Sequence, residues 1–264
     1  MMQEKEENLL KNRFMELACV AERRGIPFYT DFLNLNEQSI LYSMEKQLKF
    51  VTIHGFGGYE LAERKIYGFL GRDSYYAYSF EAEEEQEVLP FPLSVIKITV
   101  KNEKFSDKLT HRDYLGAILN LGIDRSKIGD ILVDFPNAFV FCKEEIGEYI
   151  ADNLAKIKHT QVDCCITERQ NFHYEPKYEE IRKSISSIRL DAIIAAAFGG
   201  SRSSLSSLIT GEKVYVNGKL VCSNSYVLKE GDMVSVRGYG KFRFQEIQSQ
   251  TKKGRTYVLL QKYI

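Results

Sequence analysis

The fold of the C-terminal third is decided by residues 188–221, which have the sequence IRLDAIIAAAFGGSRSSLSSLITGEKVYVNGKLV. A short helix is predicted from Asp191 to Phe198, because an acidic residue stands at its start and two glycines follow its end. Ser201 is expected to cap a second helix, in which the apolar residues from Leu205 to Ile209 recur at i, i+3 and i+4. The stretch therefore predicts two short consecutive helices.

Strands are predicted for the rest of this third. They are Val214–Val216, Lys219–Val221, Tyr226–Leu228, Met233–Val236, Phe242–Ile247 and Tyr257–Leu260. Asn217-Gly218 predicts a tight hairpin between the first two, because this dipeptide tolerates the positive φ angles of a type I′ turn. The last two are predicted to pair across the basic loop 251–255.

Residues 90–168 have the predicted element order β-α-β-β-α-β. The elements are the strand Val95–Val100, the helix His111–Leu121, the strands Ile131–Val133 and Ala138–Phe141, the helix Glu144–Ile157 and the strand Gln161–Thr167. This is the ferredoxin-like order, which RNA recognition motifs share. In those motifs the third strand stacks bases on aromatic side chains, and here that strand offers Phe139 and Phe141. The first strand offers none, so we expect both phenylalanines in the core rather than on an RNA platform.

Residues 1–89 are predicted to form an N-terminal α/β segment. Its elements are a helix containing Leu10, Phe14, Leu17 and Ala18 that stops at Gly25 and Pro27, a helix at Glu37–Lys46 and strands at Phe50–Ile53 and Ile66–Leu70. Glu81–Glu87 has five glutamates and no basic residue, which indicates an exposed boundary. The predicted class is α+β, with an N-terminal domain at 1–89, a ferredoxin-like domain at 90–168 and a C-terminal domain at 181–264.

The formal net charge of zero conceals an uneven distribution. Residues 1–180 contain 22 Lys and Arg against 31 Asp and Glu, a net charge of −9, whereas residues 181–264 contain 14 against 5, a net charge of +9. A basic module beside an acidic body is typical of nucleic-acid-binding proteins, although some charge runs are only solvated faces.

Several other classes of protein are disfavoured. No apolar run among the 264 residues approaches the roughly 18 needed to span a bilayer, and the charged N-terminus does not resemble a signal peptide. We therefore expect a cytoplasmic protein that does not contact a membrane. The five cysteines have no regular spacing and the four histidines lie far apart, so no disulfide framework, metal site or cofactor is expected.

Residues 188–241 closely resemble the S-four RNA-binding domain, also called the alpha-L motif. The matching elements are Arg189-Leu190-Asp191, Ser201-Arg202-Ser203, Gly211, Val216-Asn217-Gly218, Gly231-Asp232 and Val236-Arg237-Gly238. In that family the two helices and the following hairpin form a surface that binds structured RNA. The resemblance implies RNA contacts by Arg189, Ser201, Arg202, Ser203, Lys213, Asn217, Lys219, Arg237 and Lys241. Helix capping also explains Ser201, and turn geometry alone also explains Asn217.

The first two segments carry further matches to one bacterial family. Together with TKKGR at 251–255, the stretches GGYELAER at 57–64, HRDYLG at 111–116 and KIGD at 127–130 make the whole chain similar to YlmH-type RNA-binding proteins. Genes of that family often lie beside cell-division genes. The resemblance implies ribosome association, with binding to rRNA and also tRNA on large subunits that still carry peptidyl-tRNA. We expect a monomer.

The acidic body carries one further candidate surface. Its limited basic face would include Arg112, Arg125 and Lys127. Because the body is acidic overall, we expect it to contact protein, or to bind RNA only together with the basic domain.

Patterns that suggest catalysis are incomplete. Arg189-Leu190-Asp191 is similar to a pseudouridine synthase motif, but Ala-Ile-Ile-Ala follows in place of a Thr-containing turn. His111-Arg112-Asp113 resembles a kinase catalytic loop but lacks its Asn. Gly55-Phe56-Gly57 is followed by Glu60 where a dinucleotide fingerprint needs glycine, and we interpret it as a strand-to-loop turn. A non-enzymatic RNA-binding protein is the main prediction. An RNA-modifying enzyme anchored by the S-four domain and a cell-division-linked interaction protein are the alternatives.

Overall fold

A computed structural model describes residues 2–74, 91–167, 172, 176–250 and 255–263. The chain folds as two compact units, Met1–His173 and Tyr174–Ile264, which are described separately. The predicted boundary at Glu81–Glu87 and most of the basic loop 251–255 lie outside the described residues. The three-domain division stays a prediction.

The N-terminal part of the first unit is a small antiparallel sheet packed against helices. Its elements are α1 (Met2–Arg24), β1 (Phe28–Tyr29), α2 (Leu35–Ser43), β2 (Val51–Phe56) and β3 (Ile66–Gly71). The strand order is β1-β3-β2. The first helix is confirmed: it ends before Gly25, whose φ is 64°, and Phe14 and Ala18 are fully buried in the core. β2 continues through Gly55 and Phe56, which were predicted to lie in a turn.

The second helix is also confirmed, with shifted ends. α2 begins at Leu35, because Asn34 Oδ1 accepts hydrogen bonds from the backbone N–H groups of Asn36 and Glu37 at 2.9 and 3.1 Å. The Glu37 carboxylate accepts the Asn34 N–H at 2.7 Å in return, which completes a capping box.

The remainder of the first unit has the predicted ferredoxin-like topology. Its elements are β4 (Leu93–Val100), α3 (His111–Leu119), β5 (Ile128–Asp134), β6 (Asn137–Lys143), α4 (Gly147–Asn153), β7 (Lys156–Ile157) and β8 (Thr160–Thr167). The strands are all antiparallel, in the order β5-β6-β4-β8-β7. The first strand of the motif therefore lies between the third and the fourth, as the β-α-β-β-α-β order predicts.

The predicted helix at Glu144–Ile157 is too long. A single 3₁₀ turn covers Glu144–Ile146, and the α-helix runs only from Gly147 to Asn153. Leu154 leaves helical geometry with φ −90° and ψ 82°, and Lys156–Ile157 then pairs with Thr160–Gln161 as a short hairpin. Strand pairing therefore outweighs the helical pattern at this end.

The second unit is a six-stranded sheet with two helices on one face. Its elements are β9 (Tyr178–Ile185), α5 (Leu190–Phe198), α6 (Arg202–Thr210), β10 (Val214–Val216), β11 (Lys219–Leu220), β12 (Met233–Val236), β13 (Gly240–Gln250) and β14 (Thr256–Tyr263). The strand order is β11-β10-β12-β13-β14-β9. Apolar residues of both helices pack against alternate residues of the strands, including Val214, Val234, Phe242 and Leu260. Both helices and the two hairpins are confirmed.

Two features of the second unit differ from the prediction. β9 begins at Tyr178, in the stretch between the predicted domains at 90–168 and 181–264, and it pairs with β14 through eight residue pairs. Its mostly exposed residues give little apolar alternation to recognise. The strand predicted at Tyr226–Leu228 is reduced to one bridge, between Val227 and Arg189.

No single helix in the described part of the chain is long and apolar enough to cross a membrane.

Candidate RNA-binding surfaces

Arg189 is held at the start of α5 by a neighbouring carboxylate. Its Nε and Nη2 donate to the two oxygens of Asp191 at 3.2 and 3.3 Å, and Asp191 Oδ1 also accepts the Ala192 N–H at 2.9 Å. The Arg189 side chain is 45% exposed, whereas the Asp191 side chain is 13% exposed. The guanidinium is therefore fixed in orientation, and its other N–H groups can still bind phosphate.

The start of α6 presents a cluster of hydroxyl groups. Ser201 caps the helix by accepting the Ser204 N–H at 3.2 Å, and its Oγ lies 3.0 Å from that of Ser203. All three serines are exposed. Hydroxyls and free N–H groups at a helix N-terminus suit an anion. Arg202 begins the helix, and its side chain lies outside the described residues.

Asn217 is a structural residue of the hairpin. It has a φ of 49°, its Nδ2 donates to Asp232 Oδ1 at 2.8 Å, and its Oδ1 accepts the Met233 N–H at 2.9 Å. Asp232 in turn accepts the Lys229 N–H at 2.7 Å. The Asn217 amide therefore holds the hairpin to the next turn. Because both its Nδ2 and its Oδ1 are already hydrogen-bonded, few of its donor and acceptor positions remain for RNA.

Three of the predicted basic residues lie on the sheet face opposite the helices. The Arg237 N–H donates to the Lys213 carbonyl at 2.9 Å, and the Arg237 guanidinium lies over the Tyr215 ring at 5.4 Å. Lys241 pairs in register with Ser235, on the side away from the core, and its Nζ lies 5.9 Å from the Tyr263 ring centre. These contacts orient the basic groups along one surface, which we call the outer face (Lys213, Arg237 and Lys241).

The predicted contact residues are therefore divided between two faces. Lys219 pairs directly with the core residue Val216, so it lies on the helix side of the sheet. We call Arg189, Ser201, Ser203 and Lys219 the helix-side group. The sequence placed all these residues in one set, because strand register is not visible without the pairing partners.

The aromatic strand of the ferredoxin-like part is covered by other parts of the first unit. Phe141 is fully buried and Phe139 packs in the same cluster, together with Phe32 and Ile66 from the N-terminal part. The centre of the Phe172 ring lies 5.1 Å from that of Phe139 and 5.2 Å from that of Phe141. The prediction that they belong to the core is confirmed, and the surface that stacks bases in RNA recognition motifs is occupied by protein.

Two of the stretches that carry the family resemblance hold the N-terminal part of the unit against this sheet face. Asp130 accepts three hydrogen bonds from residues 59–64: from the Tyr59 hydroxyl at 2.9 Å, the Glu63 N–H at 2.7 Å and the Arg64 N–H at 3.1 Å. The Arg64 guanidinium crosses back to the carbonyls of Ile128 and Phe32 at 2.8 and 2.7 Å. GGYELAER and KIGD are thus complementary halves of one intramolecular contact.

The predicted basic face of the body is largely used by protein contacts. Arg125 donates to the carbonyls of Ile128 and Gly129, and burial lowers its pKa to about 10. Lys127 forms ion pairs with Asp31 at 3.0 Å and Glu145 at 2.8 Å. Of these three residues, Arg112 alone is exposed and forms no ion pair with another described residue. The face predicted from these three residues is therefore wrong for Arg125 and Lys127.

The candidate catalytic residues have structural roles. Asp191 is paired with Arg189, and Asp113 accepts the N–H of Thr110 at 2.8 Å as part of a helix cap. Partial burial, and then the charge of Arg125, lower the pKa of His111. No group of three metal-ligating side chains occurs among the described residues.

Comparisons with known proteins agree with the two domain types. Residues 87–171 match the family described as "Putative RNA-binding domain in YlmH", and residues 188–234 match the S4 domain family, the S-four domain named above. The chain is 29% identical over 262 residues to "Ribosome-associated protein quality control protein P2" of Bacillus subtilis (strain 168), across 98% of this chain and 96% of the relative.

A solved structure is also similar. "Cell division protein ylmH from Streptococcus pneumoniae" is 25% identical, with a TM-score of 0.48, and the match covers 62% of this chain and 93% of that chain. With both domains present in this order and a relative aligned over nearly its full length, the chain resembles YlmH-type RNA-binding proteins and carries a C-terminal S4 domain.

Proposed function

We propose that this protein acts on the ribosome without catalysing a reaction, by binding rRNA and tRNA on the large subunit during quality control of stalled peptidyl-tRNA. The Bacillus subtilis relative is named a ribosome-associated protein quality control protein, and both matched families are RNA-binding domains. The net charge of +9 over residues 181–264 supports RNA as the partner of the second unit. The site of action is the cytoplasm.

The observation that carries the proposal is the fixed, exposed Arg189 guanidinium at the start of α5. An arginine that Asp191 already orients loses less conformational freedom when it binds a phosphate. Ser201 and Ser203 supply hydroxyl groups at the start of the next helix, and Lys219 adds charge on the same side of the sheet. A phosphate backbone that follows this side would meet a guanidinium, a helix N-terminus and an ammonium group.

The test compares two double variants of the full-length protein. Arg189→Ala/Arg202→Ala should weaken binding to large ribosomal subunits in co-sedimentation by at least about 100-fold, because each of the two charged hydrogen bonds contributes roughly 1.5–3 kcal/mol. Arg23→Ala/Arg72→Ala removes the same two charges from exposed positions of the first unit, and it should sediment like the wild type. A thermal melt of each variant checks that the fold is retained. Wild-type sedimentation of the Arg189/Arg202 variant would exclude this surface.

The enzyme alternative predicts a chemical product. Purified protein incubated with rRNA and tRNA should give no new modified nucleoside when the digest is separated by liquid chromatography before mass spectrometry, a separation that is needed because pseudouridine and uridine have the same mass. A new pseudouridine or methylated nucleoside would replace the proposal by an RNA-modifying activity.

A further inference from the structure

A cleft of about 600 Å³ opens on the helical side of the ferredoxin-like part of the first unit. One wall is formed by α3 and the residues after it, including Arg112, Gly116 and Asn120, which recur four residues apart along one side of the helix. The other wall runs from the end of α4 through β7 and includes Lys156 and Lys158. This cleft lies on the opposite side of the sheet from Phe139 and Phe141.

Positive charge collects at the rim of the cleft although the surrounding segment is acidic. Arg112 and Lys156 are exposed, and neither has an ion pair among the described residues. Lys158 contributes a third positive charge, and its Nζ lies 2.7 Å from Asp113, the one acidic residue that lines the cleft. The lining therefore carries a net charge of +2, whereas residues 1–180 carry −9. Such a local reversal of sign attracts an anionic ligand.

The floor of the cleft suits a flat, partly apolar group. It is lined by Ala117, Leu121 and Leu154, and a Cβ added at Gly116 would meet no atom within 4 Å. Asn153 Nδ2 donates to the Tyr149 carbonyl at 2.8 Å, which turns the side-chain amide and leaves its Oδ1 available as an acceptor. Apolar surface beside amide groups and basic side chains is the combination that binds an unstacked base and its phosphates.

The sheet face on which RNA recognition motifs bind RNA is covered in this protein, which makes a surface on the other side of the sheet relevant. Phe139 and Phe141 pack against the N-terminal part of the same unit, which Asp130 and Arg64 hold in place, so the platform used by RNA recognition motifs is largely covered, with Phe141 fully buried and Phe139 partly buried. We therefore look for an RNA contact of this part of the chain on another surface. Among the described residues of the first unit, this cleft combines exposed, ion-pair-free basic side chains with amides and an apolar floor.

We propose that the cleft between α3 and β7 binds a single-stranded segment of RNA, as a second contact in addition to that of the helix-side group of the S4 domain. Arg112, Lys156 and Lys158 hold the phosphates, while the amides of Asn120 and Asn153 and the apolar floor receive a base. This inference rests on the proposed function, because it assigns a second site on the same RNA-bound protein. An acidic peptide would use the rim charges but has no base to place between the amides of Asn120 and Asn153 and the apolar floor, so RNA is the better match.

The test uses the full-length variant Arg112→Ala/Lys156→Ala. The probe is a labelled stem-loop RNA with a single-stranded extension, and the same stem-loop without the extension serves for comparison. We expect affinity for the extended probe to fall about tenfold, less than for two fully formed charged hydrogen bonds, because both side chains are exposed and their phosphate contacts are screened by solvent. The slope of log affinity against log salt should become shallower by about 1.4, for two lost contacts to a single strand. Binding of the blunt stem-loop should stay at the wild-type level.

Two further variants separate this inference from the proposed function. Lys46→Ala/Arg72→Ala removes one lysine and one arginine from exposed positions elsewhere in the same unit, and it should bind both probes like the wild type. Arg189→Ala/Arg202→Ala should lose both probes. If the cleft variant binds the extended probe as well as its control does, while the Arg189/Arg202 variant loses it, the cleft assignment is overturned and the proposed function stands. If the Arg189/Arg202 variant binds both probes like the wild type, the assignment of RNA binding to the helix-side group of the S4 domain is overturned.

Discussion

At the scale of single residues, Asp130 joins the N-terminal part of the first unit to the ferredoxin-like part. Its two oxygens accept the Tyr59 hydroxyl and the N–H groups of Glu63 and Arg64. An amide in place of the carboxylate would keep one acceptor oxygen, and in either orientation its N–H₂ group would face a backbone N–H, that of Glu63 or that of Arg64. The residue therefore matters through three hydrogen bonds at once rather than through its charge alone.

Asp130→Asn should lower the free energy of unfolding by about 2–4 kcal/mol, because the hydrogen bonds to a charged carboxylate are weakened and one part-buried backbone N–H is turned toward another donor. Asp134→Asn changes an exposed residue at the end of the same strand and should stay within about 0.5 kcal/mol of the wild type. Urea denaturation followed by circular dichroism measures both. Equal stability of the two variants would contradict the role of Asp130.

At Gly58 the N-terminal part of the first unit approaches the ferredoxin-like part closely. Its φ is 100°, and an added Cβ would lie 2.2 Å from the ring of Phe141. Gly25 also has a positive φ, of 64°, but an added Cβ there would meet nothing within 4 Å. Gly25→Ala should cost about 1–2 kcal/mol for backbone strain, and Gly58→Ala should cost about 1–3 kcal/mol more for overpacking. Thermal melts of the two variants, compared side by side, would detect that difference.

At the scale of elements, the N-terminus of α6 combines helix capping with a candidate phosphate contact. Ser201→Ala should destabilise the second unit by about 1 kcal/mol, because the Ser204 N–H loses its acceptor. Ser201→Asp keeps a good capping group and should retain stability, but its negative charge should weaken RNA binding. A melt and an RNA-binding titration of each variant separate the two roles. If Ser201→Asp binds RNA like the wild type, Ser201 is only a cap.

The start of α3 should make the stability of the first unit depend on pH. Hydrogen bonds from Lys158 and Thr110 lower the pKa of Asp113 from 3.8 to about 2. A carboxyl group whose pKa is lower in the folded state stabilises the fold above its unfolded pKa, and that contribution is lost as the pH falls through the folded value. The first unit should therefore lose stability between about pH 4 and pH 2. Melts across this range should show a weaker pH dependence for Asp113→Asn than for the wild type.

At the scale of the whole molecule, the two units should differ in RNA affinity. A fragment of residues 174–264 should bind structured RNA more tightly than one of residues 1–173, because the basic residues are concentrated in the second unit. If about five phosphates are contacted, log affinity should fall with log salt with a slope of roughly −3.5 to −4.5. The fragment must begin before Tyr178, since a start at residue 181 would cut β9. Equal affinity of the two fragments, or binding that does not depend on salt, would contradict the prediction.

The sequence alone determined the local elements and their order. Helix periodicity, the cap at Ser201, the Asn217-Gly218 turn and the ferredoxin-like order all depend on residues close together in the chain, and the structure confirms them. The separation of charge between residues 1–180 and 181–264 is likewise a property of composition. Such features are predictable because their physical causes act over a few residues.

Only the tertiary structure decided which of the candidate residues are available to a ligand. Arg125 and Lys127 look like surface cations in the sequence, but their partners come from distant positions, such as Asp31 for Lys127. β9 exists because β14 pairs with it, and strand register assigns Lys213 and Lys219 to opposite faces of the sheet. Such assignments depend on contacts between residues far apart in the chain, and no local pattern encodes them.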